Sequence, residues 1–267
     1  MKNTKLFVID LDGTALLNFV TLHPKTIEGV KHVTSLGHKV VIATGRAECA
    51  CINFYNELNM DTFLITSNGS ILNNPSNRNY IGWSRCVKKE LIEYILSPTI
   101  HDNIENIYYY ANNQIYVHKY HELVIEKLMM TGCGVDVKEL NNDINVNSIA
   151  LIVRNNMVEK VRKDIKNKFP EQDFNSWDGN YHESYIEVNP DNTNKWHAVC
   201  EVAKLYGIKN EDIYTFGDAN NDYEMIKECN NGVVMKNATH KLKSVGNIIL
   251  NKTNEEGAVG EFLLTFD

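Results

Sequence analysis

Asp10 and Asp12 stand one residue apart at the end of the apolar run Leu6-Phe-Val-Ile9, and Gly13-Thr14 follows at once. A third acidic position, Asp218, ends a later apolar run, with Asn221 and Asp222 just beyond it. Three carboxylates brought together would repel and raise one another's pKa values, which requires a cation to hold them ionised. Hard oxygen donors without His or Cys point to Mg2+ rather than zinc, and Mg2+ commonly shares its shell with substrate phosphate. Phosphoryl chemistry is the natural inference, and the remaining residues suit it. Thr44 offers a hydroxyl and, with Gly45, backbone N–H groups at an expected helix N-terminus, where anions bind. Lys195 opens a later helix and supplies a point positive charge to the same phosphate. Asp222, one helical turn after Asp218, is placed to orient a ligand or bound water. Arg46 either pairs with a carboxylate on its own helix or reaches the site, and it is left out of the catalytic set.

Such residues need a scaffold that gathers distant strand ends. Continuous apolar runs at 6–9, 39–43, 62–65, 213–216 and 232–235 read as strands buried on both faces. Helices are expected at 24–36, 46–58, 195–206, 221–228 and 238–245, so strands and helices alternate as in parallel βαβ units. Ligands of such sheets gather at the carboxyl ends of the strands, and Asp10, Thr44, Ser67-Asn68 and Asp218 each follow one. After Asn68-Gly69 the pattern changes: a hairpin is expected over 70–83 and a helix over 87–96. Strand-like runs follow at 107–110, 114–117, 148–153 and 185–188, with helices near 119–131 and 157–168. The chain therefore reads as an α/β core of residues 1–82 and 190–267, interrupted by an inserted α+β domain of residues 83–189.

Composition excludes several partners. Of 267 residues 43% are hydrophobic, and 27 basic against 34 acidic side chains give a net charge of −7. So acidic a chain lacks the basic footprint that nucleic acid or an anionic membrane demands. The first apolar stretch is short and interrupted by charge, and no run approaches about 18 apolar residues, so neither export nor membrane spanning is expected. The six cysteines, at 49, 51, 86, 133, 200 and 229, form no CxxC pair and are expected to be reduced thiols of a cytoplasmic protein. Cys49 and Cys51 are expected to diverge on the helix over 46–58. Asparagine is abundant, and pairs such as Asn112-Asn113 should mark turns.

Taken together the motifs resemble those of the haloacid-dehalogenase-like (HAD) phosphohydrolases, specifically the Cof-type subfamily with a C2 cap. Asp10-Leu-Asp-Gly-Thr14 matches motif I, Ala43-Thr-Gly-Arg46 motif II, Lys195 motif III, and Gly217-Asp-Ala-Asn-Asn-Asp222 motif IV. The likeness extends to Asn68-Gly69, Glu187-Val-Asn-Pro190, 232–238 and Glu256-Gly257, while the insertion matches in position and length more than in sequence. It implies a Rossmann-like parallel-sheet core with an inserted α+β cap. It also implies that Asp10 is the nucleophile forming an aspartyl phosphate, and that Asp12 protonates the leaving oxygen and then activates water. Mg2+ would be held by the carboxylates of Asp10 and Asp218 and by the main-chain carbonyl of Asp12. The backbone at Leu11, with Thr44, Gly45, Lys195 and Asn221, would bind the phosphate, and Asp222 would stand behind the metal or ligate it through water.

The expected activity is a Mg2+-dependent phosphatase on small phosphorylated metabolites, sugar phosphates foremost, with no nucleic acid, membrane or obligatory protein partner. A phosphomutase that returns the phosphoryl group to a sugar hydroxyl uses the same first step. A phospho-aspartate signalling module is disfavoured, because an acid–base Asp12 and a large insertion have no purpose in a switch. His182, beside Tyr181, Glu183 and Tyr185, either sorts substrates or is an ordinary solvated strand edge, the latter being favoured. The run Tyr108-Tyr109-Tyr110 is expected to be strand packing.

Overall fold

Leu6–Ile9 forms β1 with all four residues buried, an inner strand of the larger sheet in a computed structural model that describes residues 3–77, 79–80, 82–178 and 182–267. A wide turn over 11–15 leads into the hairpin β2 (Leu16–Leu17) and β3 (Thr21–Leu22), then α1 (Pro24–Ser35), β4 (Lys39–Ala43), α2 (Ile52–Glu57), β5 (Leu64–Thr66), β6 (Ile71–Asn73) and β7 (Trp83–Ser84). The middle of the chain supplies α3 (Lys89–Leu96), α4 (Pro98–His101), β8 (Asn106–Ala111), β9 (Gln114–Val117), α5 (Glu122–Met129), β10 (Val135–Val137), β11 (Val146–Arg154), α6 (Val158–Lys168), β12 (Phe174–Asp178) and β13 (Glu183–Val188). It closes with α7 (Lys195–Tyr206), β14 (Ile213–Gly217), α8 (Tyr223–Glu228), β15 (Asn231–Val234), α9 (His240–Lys243), β16 (Ile248–Ile249) and α10 (Ala258–Leu263).

Two compact units result. One comprises residues 1–46, 51–83 and 194–267; the other comprises 84–193 together with the short segment Ala47–Ala50. In the first, the strand order is β16-β15-β14-β1-β4-β5-β6-β7. β1 pairs in parallel with β4 on one side and β14 on the other, and β5 and β15 continue the parallel run outward. The order thus reverses at β1, and at such a switch point the carboxyl ends of neighbouring strands open a crevice. Strands buried on both faces explain the unbroken apolar runs, because Leu6, Phe7, Val8, Val40, Val41, Leu64 and Phe216 are each inaccessible to solvent.

The second unit holds a six-stranded sheet of order β10-β9-β8-β11-β13-β12. Leu91, Ile92 and Ile95 of α3, with Ile100, Val161 and Ile165, form one core with Ile107, Tyr109, Ile149, Leu151, Val153, Ile186 and Val188 of the sheet. Alternate residues of the same strands, Ile152 and Tyr185, join Val117 and Val124 of α5 in a second cluster, with Tyr108 against it. The tyrosine run is therefore strand packing, split between two faces by the period of two. Asn112 and Asn113, at φ of 51° and 61°, turn β8 into β9 in the left-handed region that Asn tolerates.

Several expectations need correction. The helix expected over 46–58 is reduced to α2, preceded by a short 3-10 turn at Glu48–Ala50. The backbone of Arg46 is held outside a helix because its N–H donates to the Thr44 hydroxyl (3.1 Å) and its carbonyl accepts from Ser67 N–H (2.9 Å). The helix expected over 238–245 shrinks to α9, capped by the Thr239 side chain, while Thr239 N–H donates to the Asp218 carbonyl (2.9 Å). Nor are all six cysteines reduced thiols: Cys49 and Cys133 form a disulfide, with Cα atoms 5.2 Å apart. Their separation of 84 residues left no local trace of the pairing. Cys51 is buried in the core of the first unit, as packing predicts. β12, the β2–β3 hairpin, β10, β16 and α10 add elements to the expected set. His182 is exposed, which favours the solvated strand edge, and Tyr181 lies outside the described residues.

Candidate active site

β1 ends at Ile9, and Asp10 continues it in extended geometry (φ −71°, ψ 159°), its N–H donating to the Phe216 carbonyl of β14 (3.2 Å). The backbone then turns sharply at Gly13, whose φ of 72° suits a residue without a side chain. Space demands glycine there as well: a Cβ would sit 2.3 Å from Asp218 Oδ2. Thr14 Oγ1 donates to Asp218 Oδ1 (3.0 Å), and Asn237 Nδ2 donates to the Gly13 carbonyl (2.8 Å). Residues 204 apart in sequence are thereby locked together because β1 and β14 are neighbours.

Lys195 is the first residue of α7, whose N-terminus is capped by Asn194 accepting from His197 N–H (3.0 Å). Its side chain is wholly buried, and Nζ donates to Asp10 Oδ1 (2.6 Å) and Asp222 Oδ1 (2.7 Å). Burial works against the ammonium, but the charges and hydrogen bonds of Asp10 and Asp222 more than reverse that, so its pKa is raised. Asp222, also wholly buried, spends its other oxygen on the N–H groups of Asp218 (3.0 Å) and Ala219 (3.1 Å). Through its two oxygens the Asp222 carboxylate ties the β14–α8 loop to the lysine, giving the Asp218-to-Asp222 spacing a structural purpose.

Carboxylate oxygens of Asp10, Asp218 and Asp222 lie within 4.8 Å of one another. One ammonium cannot balance three carboxylates in a buried place. Burial pushes the Asp10 carboxyl well above its ordinary value, opposed by Lys195 and reinforced by Asp222, Asp218 and Asp12. Asp218 is pushed up to about 7, by burial first and by the charge of Asp222 next. A divalent cation ligated by oxygen would relieve this excess of negative charge, so the donor set fits Mg2+.

The Asp12 carboxylate stands outside that cluster. Arg46 grips it with two parallel bonds, Nε to Oδ2 (2.8 Å) and Nη2 to Oδ1 (2.5 Å), so Arg46 reaches the site, one of the two alternatives the sequence left open. Burial disfavours the guanidinium charge, yet the Asp12 hydrogen bond and charge outweigh it and raise the Arg46 pKa.

The expected phosphate-binding residues are placed unevenly. Thr44 and Gly45 follow β4, but no helix starts there, and the Thr44 N–H already donates to the Ile65 carbonyl (2.9 Å). Its hydroxyl accepts from Arg46 N–H, so the helix-terminus account of this pair is corrected: the segment is an extended loop cross-linked to the end of β5. Gly45 and Asn221 are brought together through Asn68, whose Oδ1 accepts from Asn221 Nδ2 (3.0 Å) and would lie 3.1 Å from a Cβ on Gly45. Asn68 itself is buried with φ at 53°. Leu11 is buried in the turn after Asp10. Asn68, Thr14 and Arg46 were not among the expected site residues. A strand-end position was the signal for Asn68, and membership of motifs I and II for the other two.

Known proteins bear on this geometry. Residues 7–263 match the model of a family described as haloacid dehalogenase-like hydrolase. Two similar relatives are 5-amino-6-(5-phospho-D-ribitylamino)uracil phosphatases of Bacillus subtilis (strain 168). One is 26% identical over 97% of this chain and 96% of its own length, the other 28% identical over 95% and 92%. A haloacid dehalogenase-like hydrolase from Bacteroides thetaiotaomicron superposes with a TM-score of 0.82 at 21% identity, over 98% of this chain and 99% of that one, a likeness of fold.

Proposed function

Because the chain belongs to the haloacid dehalogenase-like hydrolases, we propose that it is a Mg2+-dependent phosphatase of small phosphorylated metabolites acting through an aspartyl phosphate. The observation that carries this reading is the buried Lys195 bridging Asp10 and Asp222 beside Asp218, an arrangement costly to maintain unless charge must be handled there.

In the first step a carboxylate oxygen of Asp10 forms a bond to phosphorus while the bond from phosphorus to the ester oxygen breaks, and Asp12 donates its proton to the departing oxygen. In the second, Asp12 takes a proton from water as the water oxygen bonds to phosphorus and the Asp10–phosphorus bond breaks. Lys195 supplies fixed positive charge beside the nucleophile, and Thr44, Gly45, Asn221 and the backbone at Leu11 hold the phosphoryl oxygens. The carboxylates of Asp10 and Asp218 and the carbonyl of Asp12 would hold Mg2+, which supplies neutralisation of charge on the phosphoryl group. Relatives named for a phosphorylated ribityl compound support a leaving group rich in hydroxyls, such as a sugar or polyol. We place the enzyme in the cytoplasm, where such esters are made. No helix among the described residues is long and apolar enough to cross a membrane.

Phosphate release from a panel of sugar, polyol and nucleotide esters, with Mg2+ and with EDTA, tests the proposal. Release should require Mg2+ and should fall at least about a thousandfold in Asp10→Asn with the far-UV spectrum unchanged. Equal release by the variant in a clean preparation would remove Asp10 from its role. Transfer only to a second sugar, with no free phosphate, would mark a mutase instead.

A further inference from the structure

We propose that Arg46 is a positioning residue: its guanidinium fastens the Asp12 carboxylate to the turn of the β2–β3 hairpin, so that the acid–base group is held in a single orientation by a clamp outside the charged cluster. The inference rests on the phosphatase reading above.

Three observations support it, all within the first unit. The fork of Arg46 occupies both carboxylate oxygens of Asp12, and this bidentate fit is one a lysine cannot reproduce. Nη2 donates in addition to the carbonyl of Phe19 (2.6 Å). The guanidinium also lies 5.5 Å from the ring centroid of Phe54 on α2, and the Arg46 backbone is bonded on both sides, to Thr44 and Ser67. The side chain is thus fixed along its length, with only 15% exposure against 36% for its partner.

The hairpin end of the clamp is unusual. Asn18 and Phe19 both adopt left-handed backbone, at φ of 46° and 61°. Asparagine accepts that region, whereas a bulky residue such as Phe is strained there and persists only where contacts over-determine it. The Phe19 ring is 63% exposed and gains little from packing. What holds the turn is polar: Arg46 on the Phe19 carbonyl, Glu255 Oε1 accepting from Asn18 N–H (2.9 Å), and the Val20 N–H to Leu17 carbonyl bond (2.9 Å). The arginine therefore ties two otherwise independent features, the acid–base carboxylate and a strained turn. A freed Asp12 side chain, partly exposed, would rotate among its staggered conformers and present an oxygen to the reacting ester only part of the time.

The test compares wild type, Arg46→Ala and Arg46→Lys on the best ester from the panel. Arg46→Ala should lower kcat about 10- to 100-fold with KM within about threefold. Millimolar methylguanidine should recover several-fold of the lost kcat in that variant without affecting wild type or Asp12→Asn. Arg46→Lys should stay low, since one ammonium cannot grip both oxygens. Wild-type kcat in either folded variant overturns the inference, as does a loss confined to KM, which would make Arg46 a substrate ligand. If Arg46→Ala does not fold, Arg46→Lys decides. A second readout needs no turnover: the Arg46 Nε–H resonance should be strongly downfield and slow to exchange in wild type, and should return to the free position in Asp12→Asn. A wild type that releases no phosphate would defeat the phosphatase reading while this resonance still decides whether the clamp exists. An unmoved resonance with an active wild type would defeat the clamp alone.

Discussion

Two cation–carboxylate groups are built on Asp10 and Asp12, carboxylates with a single residue between them, yet they differ in kind. Lys195 bridges Asp10 and Asp222 with exposures of 0%, 5% and 0%, whereas Arg46 holds Asp12 at 15% and 36%. The buried group is a compact point charge among carboxylates, tied by Asp222 to the backbone of the β14–α8 loop, and nothing in it can move without leaving an unpaired charge in the interior. The outer group is a planar fork on a partly solvated carboxylate. One compensates charge and the other fixes direction, which is what the nucleophile and acid–base roles proposed for Asp10 and Asp12 respectively demand.

Stability separates them most sharply. Lys195→Met strands two buried carboxylates and should cost about 3–5 kcal/mol, while Arg46→Ala, opening a half-solvated pair, should cost below about 1 kcal/mol. Urea denaturation of both variants checks this, and equal losses would dissolve the distinction. The other unit offers an intermediate scale: reduction of Cys49–Cys133, which closes a loop across a separation of 84 residues, should cost about 2–4 kcal/mol, read from denaturation with and without a dithiol. An unchanged midpoint would mean that this crosslink does not constrain the unfolded chain.

Removal of metal sharpens the buried group further. Asp218 in the folded protein holds its proton up to about 7, against an ordinary 3.8, so between those values the folded state binds a proton the unfolded state has released. Without metal this group therefore makes the protein less stable as pH rises through that window, and the effect levels off above it. Mg2+ competes with that proton, so its gain in Tm should be larger at about pH 8 than at about pH 5. A gain independent of pH would place the ion elsewhere. The Asp12–Arg46 pair, outside the cluster, should leave this dependence unaltered in Arg46→Ala.

Much of the first unit was legible beforehand. The span of α7 matches its expected helix, and β1, β4 and β14 sit within a residue of the expected strands, because strands buried on both faces must be apolar throughout. Expectations failed where local pattern yields to distant bonds. The helix over 46–58 carries a helical sequence, but its first residues are claimed by Thr44 and Ser67. β12 went unrecognised because Phe174–Asp178 is a mostly polar segment with Asn175 and Ser176 adjacent and no period of two, on an edge strand next to β13 alone.

What the sequence by itself determined is the inventory: Asp10, Asp12, Thr44 and Asp218 at or just past strand ends, Lys195 at a helix start, and oxygen donors suited to Mg2+. Those follow from side-chain chemistry and from periodicities that act over a few residues. Only the tertiary structure decided who meets whom: Lys195 with Asp10 across 185 residues, Asn221 with Asn68 across 153, Arg46 with Asp12 rather than with its own helix, and Cys49 with Cys133. Such pairings depend on strand order about β1 and on loop paths, which are set by the packing of whole elements and leave no mark on the residues that finally touch.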